Sequence, residues 1–226
     1  MKKLVIGLLG PSKSGKDWLG KLLIKTLNKK FIEMDGLIKA ADLIKEEAEK
    51  RYPASFSIFK WEHSGDAYRE EYVEEMGKTR RQLLQDLGDE LLEKDPNYVY
   101  SYLYTRIKES TSELTLITDL RNENECSAVV DCGGIVIKIN RPLGERYTEE
   151  WTQYCLSLKR PPNPSTSGFL NYAKSNYTKL YKKLNHKTET SVNKVPRKLI
   201  HFEFENSIGK GNSRRISSLL QKLKAI

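Results

Sequence analysis

The chain has 226 residues, which suits one domain carrying insertions. Hydrophobic residues make up 38% and charged residues 31%, a globular composition, and no apolar run approaches the roughly 20 residues that span a bilayer. Lys and Arg outnumber Asp and Glu by 39 to 30, a formal charge of +9 that fits nucleic acid, an anionic surface or phosphorylated small molecules. Charge alone does not separate these partners, because lysines on helix faces are ordinary solvated surface. Cys126, Cys132 and Cys155 are odd in number and lack metal-ligand spacing, so neither a disulfide framework nor a zinc site is indicated, which favours a reducing, cytoplasmic setting. Met1-Lys2-Lys3 has the charge of a signal-peptide start, but the apolar run after it is short and has no small-residue cleavage site.

That run, residues 3–9, reads as a buried central strand, being continuously apolar rather than alternating. A glycine loop follows, and residues 16–29 read as a helix with Trp18, Leu19, Leu22, Leu23 and Leu27 at helical spacing. Residues 31–34 predict a short second strand ending at Asp35-Gly36, and a helix from about Leu37 carries Ile38, Ala41, Leu43, Ile44 and Ala48. Residues 51–63 read as a loop. Residues 66–94, rich in Glu, Arg and Lys, favour helix with a stripe of Leu83, Leu84, Leu87 and Leu91 and a break or kink at Gly77 or Gly88. Asp95-Pro96 starts a helix carrying Val99, Tyr102, Leu103 and Ile107. Residues 114–118 are a strand ending at Asp119, residues 122–132 a helix, and Gly133-Gly134 turns the chain into a strand over 135–139, followed by Arg141-Pro142. Residues 143–197 lose apolar periodicity and read as a long insertion, partly helical near 169–184. A last strand over 199–204 and a last helix over 214–224 close the chain. Strands alternating with helices give an α/β class with a mainly parallel sheet. Ligands of such sheets bind at the carboxyl ends of the strands, where both the glycine loop and Asp119 fall.

The loop is Gly10-Pro11-Ser12-Lys13-Ser14-Gly15-Lys16-Asp17. Strand, glycine loop, helix is the context of a phosphate-binding P-loop. Backbone N–H groups turn inward, the helix adds its positive dipole end, and Gly10 and Gly15 permit conformations that a Cβ obstructs. Lys13 and Lys16 face phosphate oxygens, and Ser14 offers a hydroxyl. Asp17 stands where the usual pattern has Ser or Thr. Its carboxylate is a hard oxygen ligand for magnesium, or else a first-turn acid favouring the helix dipole. Asp119 has the place of a Walker-B-type acid, orienting magnesium or meeting the attacking phosphate, or else caps the helix near Asn122. Arg121 is placed to contact an acceptor phosphate or Asp119. These residues predict phosphoryl transfer from ATP with Mg2+, in which the protein positions groups and offsets charge.

On the acceptor side, Arg69, Arg80 and Arg81 form a basic set suited to a monophosphate. Gln85 is either a reader of a base edge or a solvated helix residue. Phe59, Trp61, Tyr68 and Tyr72 are candidates for stacking or for packing. His63 and His201 read as surface or strand residues.

Gly10–Asp17 resembles the loop of phage-type deoxynucleoside monophosphate kinases, which have Asp after the P-loop lysine. Residues 79–88 are similar to that family's Arg-x-Leu-Leu-Gln-x-Leu-Gly segment, and residues 118–125 to its Ser-Asp-x-Arg-x-x-x-Glu stretch. Residues 133–137 with Arg141-Pro142 fit the family's next segment. His186-Lys187-Thr188-Glu189 resembles its His-x-Ser-Glu element, and Asn206 lies where the family often has Asn after the last strand. The resemblance implies one P-loop kinase domain over 1–226, a three-layer fold with a helical acceptor-binding region at about 36–113 and a lid insertion at about 141–197. It implies donor phosphate and magnesium binding by Lys13, Gly15, Lys16 and Asp17, acceptor binding by Arg81 and Gln85, Asp119 and Arg121 between the two sites, and Arg141 at the start of the lid. The stretch 143–185 is longer than the pattern leads one to expect, so the acting lid arginine is Arg146 or Arg160. The reading is a deoxynucleotide kinase. Two alternatives stand beside it: a phosphomevalonate-kinase-like enzyme, since animal phosphomevalonate kinases also carry a Ser-Gly-Lys-Asp loop and an Asp-x-Arg strand end, and a non-catalytic nucleotide- or nucleic-acid-binding protein, favoured by the basic 143–198 segment although no nucleic-acid-binding motif is present.

Overall fold

The computed structural model describes residues 3–27, 30–52, 67–158, 166–207 and 212–225. Its centre is β1 (Leu4–Leu9), buried at every position. Burial on both faces is what a continuously apolar parallel strand requires. β1 pairs in parallel with β5 (Leu114–Leu120) on one side and β6 (Ile135–Asn140) on the other. β2 (Leu37–Ile38) and β7 (Phe202–Glu205) add parallel edges, giving the order β2-β5-β1-β6-β7. The α/β class with a mainly parallel sheet is the observed one.

Alternate residues of β1 serve two cores. Val5 and Leu9 pack with Val99, Leu103 and Ile107 of α5 (Tyr98–Glu109) and with Cys126, Ala128 and Val129 of α6 (Glu123–Asp131). Leu4, Ile6 and Leu8 pack with Leu19 and Leu23 of α1 (Lys16–Thr26) and with Leu219 and Leu223 of α12 (Asn212–Lys224). Helices on both faces of one sheet make the three layers. The cysteines are all free. Among the described residues, no helix is long and apolar enough to cross a membrane.

Three expectations change. Residues 31–34 do not form a strand; Glu33–Gly36 is a helical turn (α2), and the second strand falls on Leu37–Ile38. Asp35 sets that turn, its Oδ2 accepting the Thr111 and Ser112 N–H groups at 2.7 and 2.9 Å. Helix α3 (Ala40–Arg51) therefore begins three residues later than the apolar spacing predicts. Residues 66–94 are not one helix: Tyr72–Val73 (β3) and Lys78–Thr79 (β4) pair as an antiparallel hairpin around a left-handed Gly77. Residues 67–70 are helical before the hairpin, and Arg80–Lys94 (α4) forms the main helix after it, started by a capping box between Thr79 and Gln82.

The insertion is more helical than its lost periodicity predicts. It runs through α7 (Leu143–Arg146), α8 (Thr148–Ser157), α9 (Thr166–Asn176), α10 (Thr178–Asn185) and α11 (Lys187–Thr190). Tyr147, Tyr154 and Phe169 are buried together, with Trp151, Tyr172 and Leu180 against them. The Trp151 and Phe169 rings lie 5.0 Å apart. Aromatic pairs of this kind contribute about 1 kcal/mol each beyond their buried area, so a few rings hold short helices whose sequence shows no long stripe.

Candidate active site

The loop leaves the carboxyl end of β1 between the ends of β5 and β6. Lys13 and Gly15 are left-handed, with φ of 59° and 95°. Such residues among right-handed ones turn successive N–H groups to one side and make an anion nest. At Gly10 a Cβ would stand 2.7 Å from Ser14 Oγ and 3.0 Å from Ile139 O, so only glycine lets the loop close against β6. Ser14 Oγ is buried and has no hydrogen-bond partner among the described residues. Asn206, just past β7, fixes the loop from behind by donating its Nδ2 hydrogen to Ser14 O at 2.8 Å.

Lys16 is 8% exposed and curls over the loop, donating to Gly10 O at 2.7 Å and Pro11 O at 2.8 Å. Burial, with the Arg121 charge adding to it, lowers its pKa to about 7; Glu189, Asp119 and Asp17 act in the opposite direction. Asp17 is exposed at the first turn of α1.

Outside the loop, two arginines meet one carboxylate. Glu189 Oε1 accepts from Arg121 at 2.8 Å and Oε2 from Arg146 at 3.0 Å. Both oxygens also face Ser12 N–H, at 3.1 and 2.9 Å. Arg146 donates its Nε hydrogen to Ser12 O at 2.8 Å, and Arg141 reaches Lys13 O at 3.3 Å. The Tyr147 ring lies under both Lys13 Nζ, at 4.7 Å, and the Arg146 guanidinium, at 5.4 Å. The start of the insertion is thus seated on the loop. Of the two lid arginines expected, Arg146 is at the site, while Arg160 lies outside the described residues, as do Phe59, Trp61 and His63.

Asp119 stands at the end of β5 within electrostatic reach of Lys16, and it does not cap the helix at Asn122. Its two oxygens accept the Ala40 and Ala41 N–H groups at 2.9 Å each, so it caps α3 across the sheet rather than the helix at Asn122. Burial raises its pKa, against the pull of those amides. Asn122 caps α6 itself, in a capping box with Glu125, whose pKa is pushed up to about 7 first by burial and then by the Asp119 charge. Arg121 turns from Asp119 to Glu189.

The acceptor-side candidates sit on α4 and the hairpin before it. Arg80 pairs with Glu71 at 2.5 Å and covers the Tyr68 ring at 4.1 Å; Arg81 pairs with Glu70 at 2.5 Å. Tyr68 packs with Ala48, Val73, Leu83 and Leu87, a core role. Gln85 is half-buried on α4, and Tyr72 is exposed. Asp89, farther along α4, pairs with Lys187 of α11, the element that carries Glu189, at 2.5 Å.

The residues present fit a nucleoside triphosphate. The nest already accepts a carboxylate at Ser12 N–H, Ser14 Oγ is unpartnered, and Lys16 can move from neutral carbonyls to charged oxygens. For magnesium, the described residues hold no cluster of three His, Cys, Asp or Glu. Magnesium beside a nucleotide is generally held by one or two carboxylates together with the phosphates, and Asp17 is the carboxylate that adjoins the loop.

No family model and no curated protein sequence matches the chain. Among solved structures, a shikimate kinase from Acinetobacter baumannii in complex with shikimate is 16% identical, covering 99% of this chain and 94% of that one at a TM-score of 0.43. A shikimate kinase from Bacteroides thetaiotaomicron is 13% identical, covering 98% and 97% at 0.43. A protein of Thermus thermophilus is 15% identical, covering 100% and 98% at 0.45. At these identities and scores, the reaction has to be argued from the site's own residues.

Proposed function

We propose that this chain is an ATP-dependent phosphotransferase acting on a small phosphorylated acceptor, and specifically a deoxynucleoside monophosphate kinase. The observation that carries the reading is the convergence of Lys16, Arg121 and Arg146 on an N–H-lined loop at the carboxyl edge of the sheet. An acceptor phosphate oxygen attacks the γ-phosphorus in line; the bond from that phosphorus to the bridging oxygen breaks, and ADP leaves. Magnesium, when bound, offsets charge on the outer phosphates. Lys16 gives up its two carbonyls for the phosphate oxygens, and its protonated form is the one that stabilises the developing charge. Arg121 and Arg146 hold the group in transfer from the side of the acceptor and of the lid. Asp119 fixes the start of α3 against β5 and so sets one wall of the acceptor region. The seated insertion excludes water, which would otherwise hydrolyse ATP.

The Arg81–Gly88 segment supports a nucleotide acceptor through the family resemblance, whereas the Asp17 loop bears on the donor. The test is ADP formation with a panel of ribo- and deoxynucleoside monophosphates and with mevalonate 5-phosphate. Turnover with a deoxynucleotide, abolished in Lys16→Ala, is the expected result. Turnover only with mevalonate 5-phosphate would replace the acceptor. Salt-sensitive duplex binding with no ADP from any acceptor would refute the kinase reading.

A further inference from the structure

Glu189 has no part in the transfer chemistry, yet its carboxylate sits at the centre of the donors that the chemistry needs. Its side chain is 8% exposed, and that of its partner Arg146 is 10% exposed. Each oxygen takes one guanidinium, and both face Ser12 N–H. Two oxygens shared between guanidinium groups and a backbone N–H is also how a phosphate is held. We propose that the Glu189 carboxylate is a built-in substitute for the group in transfer, occupying the terminal-phosphate position until the donor displaces it. The proposal rests on the phosphotransferase reading.

Physical chemistry dictates how the exchange runs. Arg146 is 10% and Arg121 25% exposed, so withdrawing their shared counter-charge without replacement would leave two partly buried cations without a counter-ion. The carboxylate therefore leaves only as another anion arrives. A triphosphate brings that anion to Ser12 N–H and the arginines. A diphosphate ends short of them and leaves Glu189 in place. Glu189 lies on α11, a single turn whose Lys187 also forms an exposed ion pair with Asp89 of α4. Once the phosphoryl group has passed to the acceptor and departed, the returning carboxylate takes back the arginines and closes the cycle.

Glu189→Gln keeps the shape and one accepting oxygen but removes the charge. Without acceptor, calorimetric titration of the variant with ATP should show binding about tenfold tighter than wild type, a shift of 1.4 kcal/mol. ADP should bind within about twofold of wild type. Unchanged or weaker ATP binding would make Glu189 a brace for the arginines and overturn the proposal, and so would equal tightening for ATP and ADP. A second measurement needs no variant: hydrogen exchange at residues 186–191 of the wild type should quicken with ATP but not with ADP. Equal exchange in both states would also overturn it. Wild type that binds neither nucleotide would refute the phosphotransferase reading itself, a result distinct from these.

Discussion

Lys16→Met tests whether the loop lysine is held at a cost to the fold. Methionine has a similar length and no charge. The lysine pKa falls from 10.5 to about 7, which disfavours its charged form in the folded state by about 5 kcal/mol at low pH. Between pH 7 and 10.5 the unfolded chain binds the proton more tightly than the folded one, so wild-type stability rises with pH across that window. The penalty is about 4 kcal/mol at pH 7 and about 2 kcal/mol at pH 9. Methionine also forfeits the bonds to Gly10 O and Pro11 O, each contributing about 1 kcal/mol. The variant should then be more stable than wild type by about 2 kcal/mol at pH 7 and nearly equal to it at pH 9, while forming no ADP. Urea unfolding of both proteins at the two pH values reads the difference directly. A gap that does not change with pH, or a variant less stable at pH 7 than at pH 9 relative to wild type, would refute the reasoning. Lys16 would then be fully compensated by Glu189, Asp119 and Asp17.

Glu125 behaves with the opposite sign. Its pKa is raised from 4.5 to about 7, so the folded protein holds the proton more tightly and wild type loses stability as pH rises through that range. The stability of Glu125→Gln relative to wild type should improve by up to about 3 kcal/mol from pH 4.5 to 8, as thermal melts across that range would show. Asp119→Ala removes the acceptor for two amides of α3 and should lower stability by about 1–2 kcal/mol in denaturant unfolding. An unchanged midpoint would return Asp119 to a purely chemical role.

The sheet was legible where strands are buried on both faces. β1, β5 and β6 stand out as continuous apolar runs, and the glycine loop and its helix follow from local spacing. Legibility ended where a distant side chain decides a local structure. The segment 31–34 looks like a strand until Asp35 is bonded to Thr111 and Ser112, and nothing local to Lys39 shows that Asp119 caps the helix after it. The hairpin at 72–79 was hidden because its charged residues also suit a helix, the Gly77 break being the one visible sign. In the site the same division holds. Lys13, Ser14, Lys16 and Asp17 are read from one octapeptide. Glu189 meets Ser12 across 177 residues, Arg146 across 134 and Asn206 meets Ser14 across 192, and no periodicity marks such pairs. The His-x-Ser-Glu resemblance was the one signal for Glu189, and it carried no role.

The insertion and the loop are joined by a different kind of contact from the one that holds the insertion together. Inside it, Tyr147, Tyr154 and Phe169 close a small aromatic core. Against the loop it presents charge: Arg146 to Ser12 O, Arg141 to Lys13 O, and the Glu189 carboxylate to Ser12 N–H. Apolar burial is lost in full when two surfaces part, whereas charged groups regain water or exchange one counter-ion for another. The helices around Tyr147, Tyr154 and Phe169 thus have a core of their own, and they meet the loop through polar contacts. At its far end the insertion is anchored by apolar burial instead, with Val192 and Val195 in the central core beside Val5 and Leu9. Tyr147 belongs to both sets, buried in the aromatic core while its ring lies under Lys13 and Arg146. Tyr147→Leu, which keeps the apolar volume and removes the π-face, should leave the thermal midpoint nearly unchanged if Tyr147 only packs and lower it if the contacts to Lys13 and Arg146 hold the insertion to the loop.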